Sequence, residues 1–224
     1  MKFIATLIIL LFLTDDYAFG QRSLTKEEIL KNWNSPSERQ TRDSISIVNS
    51  DSALNVRLST LIDSLQSNNI DSVIVFSTAY PGYISSSKCD TGMFPIKTFI
   101  IWVKDKVTYL KKIKGQCLSE ISTSSSLHFF DFYNNHSEEL QSEYFMPVVL
   151  GGQLNKDKTM SYSMSWIDHE PNYSFYYKIG RHSRSFHFCQ SYLDNKESLF
   201  KSYNLSLSAY KWWQQVKKAT EKID

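Results

Sequence analysis

The sequence predicts an α+β protein: a mainly antiparallel sheet of about five to six strands, two hairpins among them, with helices packed on one face. Three observations carry that expectation. Two pairs of β-rich runs are separated by very short breaks, Lys97–Lys104 with Lys106–Ile113 about Asp105, and Tyr173–Ile179 with Arg184–Gln190 about Gly180. Apolar residues recur at helical spacing in Leu54, Leu58, Leu61, Leu65 and again in Leu205, Ala209, Trp212, Val216, Ala219, Ile223. The resulting order of helix, strand, hairpin, helix, strand, hairpin, helix suits helices on one side of a sheet, with a sandwich as the competing architecture.

The chain opens on a secretory leader. Lys2 supplies a positive start, Phe3 to Leu13 are almost wholly apolar, and Ala18-Phe19-Gly20 places small residues where a signal peptidase cuts. Residues 1–20 are therefore expected to be removed after Gly20, leaving Gln21 first. The apolar run falls well short of the roughly 20 residues needed to span a bilayer, and the first cysteine, Cys89, is too distant for lipid attachment at the cut. The expected product is secreted or periplasmic and keeps no membrane anchor. Removing the leader shifts the formal charge of +2 by about one unit, too little to argue for nucleic acid.

Residues 21–50 read as an N-terminal arm with one short helix, which Thr25 caps with Glu28 three residues later, the pattern of a capping box. Residues 51–224 read as a single globular domain. Asn49-Ser50-Asp51 offer caps to the Leu54–Leu65 helix, which stops at Asn68-Asn69 and leads into a β-branched strand, Ser72 to Thr78. The following hairpin alternates Phe99, Ile101 and Val103 against Ile100 and Trp102, so both its faces are apolar and it belongs inside the sheet. A short helix is expected from Ser137 to Phe145, a turn at Gly151-Gly152, and a half-buried strand from Met160 to Ile167. Asp168-His169-Glu170-Pro171 reads as a polar turn, and Tyr173, Phe175, Tyr177 and Ile179 share a face of the second hairpin. The last helix begins near Leu205 and buries Trp212, while Trp213 lies beside the stripe and is free to meet a partner.

Chemistry is sparsely signalled. Export makes a disulfide plausible, and Cys89 and Cys117 flank the first hairpin at the same end, closing a loop worth about 3 kcal/mol if unstrained. Cys189 then remains single. His169, His182, His187, Cys189 and Asp168 are the candidates for a catalytic site, since a thiol nucleophile needs a histidine and an orienting acid. His182 and His187 are five apart on one strand and point to opposite faces, which argues against zinc, and no metal or cofactor is expected. With seven glycines there is no phosphate loop, no dinucleotide fingerprint and no Gly-x-Ser-x-Gly elbow.

Aromatic side chains, 14% of the chain, are the compositional excess. Tyr80, Tyr83, Trp166 and Tyr176 are the candidates for a binding surface, where flat rings supply area and hydroxyls direction. The leading expectation is a non-enzymatic exported domain that binds an unknown protein or small ligand. A secreted hydrolase using a histidine and acid, or Cys189, comes second, and an immunity or inhibitor protein third.

Overall fold

The computed structural model describes residues 22–35, 52–81, 96–114, 117–124 and 129–221. The leader and Cys89 and Tyr83 lie outside them. Among the described residues two antiparallel sheets and six helices make up an α+β fold. The strands are β1 (Arg22–Ser23), β2 (Ser72–Ala79), β3 (Ile96–Lys104), β4 (Val107–Lys114), β5 (Cys117–Ser124), β6 (Val149–Leu154), β7 (Met160–Met164), β8 (Asn172–Ile179) and β9 (His182–Cys189). The helices are α1 (Lys26–Trp33), α2 (Ser52–Ser67), α3 (Phe129–Ser142), α4 (Ser191–Asp194), α5 (Lys201–Ser206) and α6 (Ser208–Thr220).

The large sheet runs β5-β4-β3-β2-β8-β9, so the strand after α2 sits between the two predicted hairpins. The first hairpin turns at Asp105 and Lys106, both with positive φ (50° and 65°), the backbone a two-residue type I′ turn requires. The second turns at Gly180, φ +57°, which a side-chain-bearing residue resists. Register aligns Phe99, Phe76, Phe175 and Phe186 in one cross-strand row. Against this face pack α3 and α6: Trp212 is fully buried among Phe175, Tyr177 and Tyr133, and its indole N–H donates to the Phe129 carbonyl at 2.8 Å.

Several expectations are corrected. Helices cover both faces of the large sheet: Leu58, Leu61, Ile62 and Leu65 of α2 lie on Val73, Val75, Ile100, Trp102 and Ile113, the opposite side from α3 and α6. The cause is visible in β2 and β3, which are apolar on both faces and must be covered twice. The α2 stop then delivers the chain directly onto that face. Asn69 takes positive φ (60°), and the Asn69 and Ile70 N–H groups return to the Gln66 and Leu65 carbonyls, a Schellman ending with its Leu65/Ile70 apolar contact.

The helix expected from Ser137 to Phe145 is the second part of α3, which kinks at non-helical His136 (φ −135°, ψ 23°) and stops at Ser142; the part before the kink, opened by buried Phe129 and Tyr133, was not foreseen. Gly151-Gly152 is no turn but the middle of β6, and at Gly152 the missing side chain lets its neighbours pack close. A Cβ on Gly152 would stand 3.1 Å from Leu24 and 3.2 Å from Ile29 and Tyr162. The Met160–Ile167 strand stops at Met164. The final helix does not start at Leu205: extended Leu207 splits it into α5 and α6. Trp213 is buried rather than free, covered by Tyr210 and by the Lys217 ammonium, 5.0 Å from its ring centre. β5 was not foreseen.

The small sheet, β1-β6-β7, carries α1 on its inner side. Thr25 and Glu28 form the capping box, and Glu28 also holds Arg22 of β1. Asn204, fully buried, joins this layer to the rest: its amide accepts from Met146 N–H and donates to the Met146 and Tyr192 carbonyls, each at 2.8 Å.

Candidate interaction surface

The candidate catalytic residues do not converge. His182 pairs with Ile179 at the turn end of β9, and Cys189 pairs with Asn172 at the other end; seven residues at about 3.3 Å each separate them by roughly 23 Å. Strand alternation turns His182 and His187 to opposite faces, as expected from their spacing. Asp168 and His169 occupy an exposed turn, with His169 at φ +62°.

His187 and Cys189 do share a face. His187 continues a polar cross-strand row through Ser174 and Ser77 to Thr98, where the Ser77 and Thr98 hydroxyls are 2.8 Å apart. The Cys189 thiol donates to Asn172 Oδ1 at 2.7 Å. Burial first, and the Glu170 carboxylate second, push its pKa up to about 11. That is the reverse of what a nucleophilic cysteine needs. Glu170 is itself committed, accepting from the N–H and hydroxyl of Ser191 at 2.5 and 2.7 Å. Among the described residues no three His, Cys, Asp or Glu side chains could hold a metal ion.

The aromatic candidates are dispersed. Tyr80 follows β2 and lies near Tyr173 at one end of the large sheet. Tyr176 is half-buried on the opposite, α2-covered face, where burial raises its pKa. Trp166 lies two residues past the end of β7, beside the small sheet. A shallow groove of about 530 Å³ lies near Tyr173, lined by Gln190, Asp194, Tyr210, Trp213, Lys217 and Glu221 among others, but its rings are largely covered.

Trp166 stands out for a different reason. It is 70% exposed, and Ile167 beside it 49%. Of the eight exposed large hydrophobics among the described residues, six (Leu150, Met160, Met164, Trp166, Ile167 and Leu199) belong to or adjoin β6 and β7. The backbone explains why most of them gather. Met164 is the register partner of Val149, Ser165 N–H donates to the Val148 carbonyl, and Leu199 N–H donates to the Val149 carbonyl. Leu150, Met164, Trp166, Ile167 and Leu199 are thereby held around one short stretch of β6, while Met160 lies at the far end of β7. Exposed Lys156, Lys158, Asp168, Lys196 and Glu197 flank these segments. Exposed apolar side chains carried on neighbouring segments, with charged residues beside them, are what a surface that meets another protein offers.

Of the sequence-derived candidates only Trp166 lies in this surface. Met160, Met164, Leu150 and Leu199 were missed because a single exposed Leu or Met has no signature in sequence; their clustering depends on strand register. No family model, curated protein or solved structure matches the chain.

Proposed function

We propose that this chain is an exported, non-enzymatic domain that binds a protein partner through the apolar surface centred on Trp166. The supporting observation is the concentration, about β6 and β7, of six of the eight exposed large hydrophobics among the described residues. A tryptophan with 70% of its surface in water gains most when a partner covers it, and tryptophan is among the residues most enriched at the energetic centres of interfaces. The leader at residues 1–20 supports export, and Cys89 and Cys117, which flank the β3–β4 hairpin in sequence, support a disulfide in that compartment. The raised Cys189 pKa and the dispersal of the histidines weigh against the hydrolase reading.

The test is site-specific photocrosslinking in the exporting host. A benzophenone amino acid replacing Trp166 should give a discrete crosslinked species. The same group at Ile121, exposed on the large sheet, should not. Equal, diffuse crosslinking from both positions would overturn the reading.

A further inference from the structure

The outer strand of the small sheet has an unusual composition for an edge. β7 ends the order β1-β6-β7 among the described residues, and edge strands commonly guard themselves with lysine, proline or an inward charge. β7 has none of these. It reads Met160-Ser161-Tyr162-Ser163-Met164, a palindrome without charge.

The register determines which main-chain groups face outward. Ser165 N–H donates to the Val148 carbonyl at one end, and the Thr159 carbonyl accepts from Asn155 N–H at the other. Odd-numbered residues therefore direct their backbone groups toward β6, and the bulge in this pair lies on β6, between Val149 and Gly151, so the alternation along β7 is unbroken. Met160 and Met164 direct theirs toward the outer edge. Both side chains are also exposed.

We infer that β7 pairs with β7 of a second copy of this chain, antiparallel about a twofold axis through Tyr162, joining the two small sheets into one. The inference rests on the Trp166-centred surface being an interaction surface, and it names the partner. Antiparallel self-pairing about that axis sets Met160 opposite Met164 and Ser161 opposite Ser163, apolar on apolar and hydroxyl on hydroxyl. No like charges face each other, a juxtaposition that would destabilise a cross-strand pair. Trp166 and Ile167 extend past the strand end toward the turn at residues 155–159 of the second copy, which carries two lysines able to lie on an aromatic ring. One five-residue strand buries less than the ~1,200 Å² of a standard interface, so the dimer is a weak one.

Sedimentation equilibrium of the leader-free chain from about 5 to 500 µM tests this, a range that brackets weak, transient association. The wild type should show a monomer–dimer equilibrium. M160K/M164K puts cation opposite cation twice and should weaken it at least tenfold; M160K/M164E puts cation opposite anion twice and should restore it, with a salt dependence the wild type lacks. Both substitutions sit at exposed positions, and matching circular dichroism and thermal midpoints confirm the fold. A wild type that stays monomeric overturns the inference, as does a dimer indifferent to M160K/M164K or one that both double variants weaken equally. A monomer that still crosslinks from position 166 to a different protein sinks the self-pairing and leaves the partner-binding reading standing; a monomer without specific crosslinks sinks both.

Discussion

Glu143 and Ala209 are 66 residues apart in sequence and directly bonded: Glu143 Oε2 accepts from Ala209 N–H at 2.8 Å, and Oε1 from Ser208 N–H at 2.8 Å. The first residue position of α6 is preceded by Leu207, which has no capping side chain. A carboxylate following α3 therefore supplies the N-cap that the local sequence lacks, at the end of the helix where the backbone dipole favours an anion. Glu143→Ala should destabilise the chain by about 1–2 kcal/mol in urea unfolding, and Glu143→Gln by less. A neutral effect of both would remove Glu143 as a cap.

Asn204→Ala should cost more. Its amide satisfies one N–H and two carbonyls in a site closed to water, and buried groups left without partners cost about 1–3 kcal/mol each. A loss of about 3 kcal/mol or more is expected in the unfolding free energy from urea titration, and Asn204→Asp should not rescue it, because a carboxylate cannot donate to the Met146 and Tyr192 carbonyls.

The Glu28 carboxyl is held down at about 2 by the Arg22 side chain and then by the Thr25 N–H. A depressed carboxylate contributes stability that is complete above its ordinary pKa near 4.5 and is lost as pH falls through that value toward 2. Glu28→Gln should therefore narrow the stability difference between pH 6 and pH 2.5 relative to wild type. Because the pair lies at the surface, the effect should shrink in 1 M salt. An unchanged pH profile in Glu28→Gln would contradict the assignment.

For Cys189 the sign is opposite. Its folded pKa near 11 lies above the ordinary thiol value of about 8.5, so the neutral thiol is favoured; the associated stability is present below the ordinary value and is lost as pH rises toward 11. At pH 8 Cys189 in the folded protein should react with a thiol reagent at least tenfold more slowly than in urea, since only the thiolate reacts. Under non-reducing denaturing conditions a Cys89–Cys117 disulfide leaves one reactive thiol, rising to three on reduction. Three before reduction would exclude it.

Local patterns carried the fold class, both hairpins, the capping box and the α2 stop, because each depends on residues close in sequence. The placement of α2 on the second face did not follow so directly, although the doubly apolar β3 already implied two covers. Gly152 was misread as a turn because its reason, the approach of Leu24, Ile29 and Tyr162, comes from segments far away in the chain. The interaction surface was legible only at Trp166. The β6–β7 register and the Leu199 bond that gather its other members are tertiary facts.

Asn204 also bears on how the molecule comes apart. Met146 leads into β6 and the small sheet, Tyr192 follows β9 of the large one, and a single side chain is bonded to both. Neither layer can open without stranding the other's backbone groups, so the small sheet is not a separate foldon despite its own core of Leu24, Ile29, Met146, Val149 and Phe200. Native-state hydrogen exchange should find the amides of β6 and β8 opening with one common free energy, and Asn204→Ala should split them into two.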